Sequence, residues 1–158
     1  MSFSLALLQL SLDKKFKKRL LKASGRNIFG RICVFHQGGG RLSLYRIIDF
    51  SRRINTFGRV VRLSKASFRT AFVAKILYMN GLIASIISVD NLNLGSLIFS
   101  GSIIPKKSIV PFSLGSAIPL RFVNLFSVIS CAEMAPFQGI SLFRAAGVFA
   151  LLIAKDQL

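Results

Sequence analysis

Short runs of β-branched and aromatic residues, separated by turns that contain glycine or charged residues, follow one another from residue 30 to residue 99. The clearest pair is 71–78 and 82–88, because the Asn80-Gly81 step between them is the strongest short-range signal for a β-hairpin. Short strands at this spacing predict an all-β fold, as a small barrel or a sandwich. The other predicted strands are 30–36 and 44–50, on either side of the turn at 38–40, and then 58–63 and 97–99.

Three prolines, at positions 105, 111 and 119, interrupt the chain after these strands and indicate a linker or domain boundary at 102–116. Apolar runs resume at 117–129 and 142–154. Their periodicity alone does not decide between a buried strand pair and a short helix. The chain therefore divides into a strand-rich part and a second, smaller part.

Positive charge is concentrated in the first half of the chain. The formal net charge is +17 over 158 residues, and residues 1–75 hold 17 of the 22 Lys and Arg with only two acids, a net +15. Self-repulsion at this density weakens a compact monomer, so we expect a counter-charge from nucleic acid or an anionic membrane. The basic tail at 14–26 is either a solvated arm or a segment that becomes ordered on a nucleic acid.

Hydrophobic content is high enough to require a test for membrane spans, since 53% of residues are apolar and the mean hydropathy is +0.60. A spanning helix needs about 20 mostly apolar residues. The longest uncharged stretches, 76–89 and 91–105, have 14 and 15 residues and contain glycines. The sequence therefore predicts no membrane span. The alternative interpretation is that the protein is a small basic membrane subunit of an organellar complex.

The N-terminus places its basic residues after the uncharged stretch 1–12, which fits neither a secretory signal nor a mitochondrial presequence. We therefore expect no targeting signal. Cys33 and Cys131 are too few for a disulfide framework and are expected to be reduced.

Chemistry-bearing residues are sparse. The five carboxylates, at positions 13, 49, 90, 133 and 156, are scattered and suggest no acid–base pair. Two cysteines and one histidine, His36, cannot complete a four-ligand zinc site. The glycine turn at 38–40 lacks the Lys and Ser/Thr of a phosphate-binding P-loop. We expect neither an enzyme nor a metal or cofactor site.

Residues 24–53 combine arginines, glycines and a single carboxylate, and this stretch resembles the universal large-subunit ribosomal proteins of the L-two family in their bacterial and organellar form. Weaker resemblances occur at 77–81, 115–121, 142–147 and 151–156, so the likeness covers about 24–158. Seventeen positions match in order over 28 residues: Gly25, Arg26, Asn27, Gly30, Arg31, Ile32, His36, Gly38, Gly39, Gly40, Tyr45, Arg46, Ile47, Ile48, Asp49, Phe50 and Arg52.

The resemblance implies a basic N-terminal extension at 1–23, an OB-fold barrel at 24–102 that binds large-subunit rRNA, and an incomplete SH3-like barrel at 103–158. It implies neighbouring ribosomal proteins as partners, a role in subunit assembly and in support of the peptidyl-transferase region, and no cofactor beyond structural Mg²⁺ carried by the rRNA. The family continues past this point, so we expect a second polypeptide to supply the missing part. Together with the Phe/Ile/Leu/Ser-rich composition, these features favour an organelle-encoded protein of the mitochondrial ribosome.

Arginines at an RNA surface neutralise phosphates and fix position, and glycines let the backbone approach closely. At two positions this chain has phenylalanine where the family pattern has a different residue, Phe35 and Phe137. We expect protein contacts to replace RNA contacts there. A generic OB-fold single-strand binder is a further alternative, which would need exposed aromatics such as Tyr45, Phe50 or Phe57, although we expect these in the core. The residues predicted to bind RNA are Arg26, Asn27, Arg31, His36, Gly38, Gly39, Gly40, Arg41, Tyr45, Arg46, Arg52, Arg53, Arg59, Arg62, Arg69, Arg121 and Arg144.

Overall fold

The computed structural model describes residues 16–39, 43–103 and 113–155, and within these ranges the protein is built from β-strands with one 3-10 turn at Leu120–Phe122. The all-β class is thereby confirmed. The strands are β1 (Lys17–Leu20), β2 (Ser43–Arg46), β3 (Thr56–Lys65), β4 (Phe72–Tyr78), β5 (Ile83–Ile87), β6 (Leu97–Ser100), β7 (Val128–Ile129) and β8 (Ala150–Leu151).

Two compact units divide the chain, Met1–Ile47 and Ile48–Leu158. Domain boundaries at 23/24 and 102/103 stay predictions, as does the partial SH3-like barrel. No helix in the described ranges is both long enough and apolar enough to cross a membrane.

The first unit contains one two-stranded antiparallel ribbon, in which β1 pairs with β2 from Lys17 opposite Arg46 to Leu20 opposite Ser43. Part of the basic tail is therefore a strand rather than a solvated arm. The strand predicted at 30–36 is wrong, because this segment folds into local turns. Backbone amides of Cys33 and Val34 both donate to the carbonyl of Gly25, at 2.8 and 3.1 Å, so they are not available to a neighbouring strand.

The second unit is organised around a four-stranded antiparallel sheet in the order β5-β4-β3-β6. The hairpin between β4 and β5 is confirmed at the predicted turn. Gly81 there has φ +80, a conformation that glycine adopts without steric cost. The Asn80 side chain accepts the Leu82 amide at 3.2 Å, which closes the turn. Strand β3 carries a bulge between Val60 and Arg62, and its two ends pair with different neighbours.

The core of this unit lies on the sheet. A Cβ at Gly58 would overlap the side chains of Ile76 and Tyr78, so glycine is required where β3 and β4 approach closely. Burial of each large apolar side chain in this core contributes about 1.5–3 kcal/mol. Its buried members are Val60, Ala74, Ile76, Tyr78, Ala84, Ile86, Leu92 and Ile98, with a smaller cluster of Ile48, Ala66 and Val73 beside it.

Residues 113–155 add little to this core. Ala117 forms a parallel bridge with Ser100 of β6, and the short strands β7 and β8 pair with each other. The apolar runs in this part form this short strand pair and the 3-10 turn at Leu120–Phe122 rather than an α-helix. The pair is not buried, since Val128 is 65% exposed and Leu151 is 49% exposed.

Candidate nucleic-acid interface

In the first unit, the loop 24–37 is shaped by Asn27. Its side-chain Oδ1 accepts hydrogen bonds from the backbone amides of Phe29 and Arg31 at 3.0 and 2.9 Å. The backbone amide of Asn27 donates to the carbonyl of Arg31 at 2.9 Å. Arg26 forms a bridge with Ile32 across the loop. Asn27 thus holds the loop with its carbonyl oxygen, while Arg26 and Arg31 are exposed beside it. This arrangement presents two guanidinium groups on an ordered backbone.

The glycine turn follows this loop, and its described members differ in what surrounds them. A Cβ at Gly39 would overlap the side chain of Ser24, whereas a Cβ at Gly38 would meet nothing within 4 Å. Packing therefore explains glycine at 39 but not at 38, where close backbone approach to RNA stays a prediction. His36 is exposed at φ +60. The predicted positions Gly40 and Arg41 lie outside the described residues.

The ribbon of the first unit carries several positive charges. Three of its basic residues are not among those predicted to bind RNA: Lys17, Lys18 and Arg19. Lys17 stands directly opposite Arg46, and Lys18 stands opposite Tyr45, which like Arg46 is half-buried. Like charges directly opposite one another destabilise a strand pair, and a polyanion relieves that cost. The charge run alone could have identified these residues, and strand pairing places Lys17 and Arg19 on one face of the ribbon and Lys18 on the other.

The second unit places Arg52 differently from the expectation that it faces a phosphate. Its guanidinium points inward and donates to Ser100 Oγ at 2.6 and 3.1 Å, to the Gly115 carbonyl at 2.6 Å and to the Phe99 carbonyl at 3.3 Å. Burial lowers the pKa of Arg52, while Tyr78 and Asp49 act in the opposite direction. Because its donors are used inside the unit, Arg52 connects β6 to the segment at 115.

Phe50 in the same unit gathers two of the predicted arginines. The Cζ atoms of Arg69 and Arg144 lie 5.4 and 5.2 Å from the centre of the Phe50 ring, within the range of a cation–π contact. These arginines are 75 positions apart in sequence, so the fold rather than local spacing brings them together. Two guanidinium groups on one ring are suited to a phosphate or to neighbouring phosphates.

The other predicted arginines of this unit occupy the surface. Arg59 and Arg62 are exposed on β3, and Arg62 is in register with Lys75 of β4. Arg53 donates to the carbonyl of Phe137, and Arg121 lies 4.6 Å over the ring of Phe122. RNA contact at these positions stays a prediction. All four arginines are exposed: Arg53, Arg59, Arg62 and Arg121.

Aromatic platforms for a generic single-strand binder are not exposed at the three positions considered for them. Tyr45, Phe50 and Phe57 are half-buried, and Phe57 packs against Phe99 with ring centres 5.1 Å apart. Phe35 and Phe137 are exposed instead. Across the described ranges, no group of three or more His, Cys, Asp or Glu side chains could hold a metal ion.

Comparison of the sequence with known proteins identifies the family of this chain. A sequence model described as Ribosomal Proteins L2, RNA binding N-terminal domain, matches residues 13–100. The large ribosomal subunit protein uL2 of Orientia tsutsugamushi is 38% identical over 144 residues, which cover 90% of this chain and 50% of that protein.

The proteins of the same name from Legionella pneumophila strain Corby and Brucella ovis are 41% and 37% identical over 140 and 145 residues. They are covered to 49% and 50% of their lengths, and this chain to 88% and 91%. The chain thus spans about half the length of the curated relatives it matches. Because the family model matches more than half of its residues, the chain belongs to the ribosomal protein L2 family.

Proposed function

We propose that this protein is a structural constituent of the large ribosomal subunit that binds large-subunit rRNA. The observation that carries the proposal is the set of exposed arginines on an ordered scaffold, in a half-chain with a net charge of +15. Membership of the L2 family, with its matching RNA-binding N-terminal domain, supports rRNA as the polyanion. The chain supplies binding and positioning, and any structural Mg²⁺ at the interface is carried by the RNA.

Binding in this proposal is dominated by phosphate contacts. Arg26 and Arg31 act from the loop of the first unit, and Arg69 and Arg144 act together from the ring of Phe50 in the second. Arginine suits this task because its planar fork matches two phosphate oxygens, which lysine does not. The bound protein then stabilises the folded rRNA during subunit assembly and supports the peptidyl-transferase region.

In this proposal a second polypeptide covers the β7–β8 pair. The support for it is that Val128 and Leu151 of this pair are exposed. Neighbouring ribosomal proteins and this second chain are the protein partners. We place the particle in the mitochondrion and the gene in the organelle, on the composition of the chain.

Salt dependence of binding tests the proposal. If about six arginine–phosphate contacts form, affinity for a large-subunit rRNA transcript falls by roughly three orders of magnitude between 50 and 200 mM salt. The variant R31Q should reduce the slope of log K against log salt by about one. An affinity that hardly changes with salt, or that is equal for a neutral polymer, contradicts RNA binding as the function.

A further inference from the structure

We propose that the turn at 27–31 is a platform for an unpaired RNA base, on which the ring of Phe29 stacks. This inference rests on the proposed function, because it takes rRNA as the partner of the first unit. It assigns to Phe29 a contact with a base face, whereas the contacts described above are with phosphates.

The turn is ordered before any partner binds. Four backbone and side-chain hydrogen bonds close it: those of Asn27 described above and the bond from the Gly30 amide to the Asn27 carbonyl at 3.0 Å. Gly30, at φ +80, adopts the left-handed backbone that completes such a turn. The backbone of this turn therefore loses little further conformational freedom when a partner binds, which favours binding.

The apolar side chains at the tip of this turn face solvent. Ile28 is 94% exposed and Phe29 is 81% exposed, so neither contributes to a core. Phe35, at the end of the same loop, is 74% exposed. Single exposed apolar residues are ordinary, but here two adjacent ones lie at the tip of an ordered turn between exposed Arg26 and Arg31.

Charge decides which partner fits this tip. Residues 16–47 of the sequence contain no Asp or Glu, and arginines stand on both sides of Phe29. A polyanion is therefore attracted, and among polyanions a nucleic acid also offers flat rings for an aromatic side chain to stack on. Base–aromatic stacking flanked by positive charge is how single-stranded nucleic acid is bound. In a duplex the base faces are covered, so the platform fits an unpaired base.

Substitutions at Phe29 separate stacking from simple apolar contact. We expect F29L to lose roughly 5- to 150-fold in affinity for a single-stranded oligoadenylate, the range for loss of one stacked base. F29Y keeps the ring and should bind as the wild-type chain does. The salt slope of F29L should stay that of the wild type, because stacking involves no counterion release, whereas R31Q lowers the slope.

A crosslinking measurement on the unaltered protein makes the test independent of any variant's folding. A single-stranded oligoribonucleotide carrying 5-iodouridine should form an adduct within 27–31 under ultraviolet light, and the same strand in a duplex should not. An adduct elsewhere in the chain but not in 27–31 overturns the platform.

Two further results also overturn it. One is F29L binding the single strand as tightly as F29Y does, with normal salt dependence, which leaves the proposed function intact. The other is loss of binding to anionic phospholipid vesicles in F29L without loss of RNA binding, which would assign the tip to a membrane surface. A wild-type chain that shows no salt-dependent RNA binding at all contradicts the proposed function itself.

Discussion

Arginine remains charged inside a protein, so a buried guanidinium has to find hydrogen-bond acceptors there. Arg52 does so with Ser100 Oγ and the carbonyls of Phe99 and Gly115. Arg59, by contrast, is exposed on β3. The two residues show that the same side chain is either held in an internal hydrogen-bond network or left facing solvent according to its surroundings, which composition cannot reveal.

Removing the Arg52 guanidinium should destabilise the second unit. In R52M a side chain of comparable length supplies no donors, and we expect the free energy of unfolding to fall by about 1.5–3 kcal/mol. Urea denaturation should show a lower midpoint with an unchanged slope. R59Q is the matched control: it removes the same charge from the surface, changes stability by less than about 0.5 kcal/mol and lowers the salt slope of RNA binding. Wild-type stability in R52M, together with a reduced salt slope, would instead place Arg52 at a phosphate.

The two cysteines should differ in reactivity. Cys131 is half-buried, and burial raises the pKa of its thiol, whereas Cys33 is exposed in the loop 24–37. Because the thiolate is the nucleophile, iodoacetamide should alkylate Cys33 faster at neutral pH. Added rRNA should slow the reaction of Cys33, if it covers this loop, and leave Cys131 as the internal reference. Peptide mass spectrometry follows both sites, and faster labelling of Cys131 would contradict the burial described here.

At the scale of elements, local chemistry made the β4–β5 hairpin predictable, because Asn80-Gly81 specifies the turn between two apolar runs. The ribbon β1–β2 was not predictable, since its register joins residues from two sides of a long glycine-rich loop. The strand expected at 30–36 failed because the Asn27 side chain accepts the Arg31 amide and the Gly25 carbonyl accepts the amides of Cys33 and Val34. Phe50, considered in the sequence as a family position and as a core aromatic, proved to be a contact for Arg69 and Arg144 that only the fold reveals.

The glycine turn offers a matched pair of substitutions that separate packing from RNA contact. G39A brings a methyl group into the side chain of Ser24, and we expect it to displace the loop and lower RNA affinity. The double variant S24G/G39A removes the obstruction, and glycine suits the φ of +53 at position 24, so affinity should recover. G38A meets nothing within 4 Å and should leave the fold intact, so a loss of affinity there reports close approach of the RNA. Circular dichroism and RNA titration are the measurements, and unchanged affinity in G39A would contradict the packing argument.

For the whole molecule, charge and exposed apolar surface point to assembly with two kinds of partner. A net charge of +17 on 158 residues opposes a compact free chain. The segment 126–152 is closed by the β7–β8 pair, by the bond from the Phe126 amide to the Leu152 carbonyl at 2.7 Å and by an antiparallel bridge between Ala132 and Leu142. Few buried apolar contacts accompany these bonds, so this part should open at low free energy.

Hydrogen exchange should therefore divide the isolated chain into a slow and a fast part. Amides of β3 and β4 should be protected most strongly, because Val60 of β3 and Val73, Ala74 and Ile76 of β4 are buried. Amides of β7 and β8 should exchange much faster, since exposed side chains such as Val128 leave their hydrogen bonds open to water. In the assembled large subunit the same amides should become protected, because the proposed second polypeptide would cover the pair. Protection of β7 and β8 in the isolated chain equal to that of β3 would mean that this part needs no partner. Continued fast exchange in the assembled particle would mean that no chain covers it, and the proposed second polypeptide would then have to bind elsewhere.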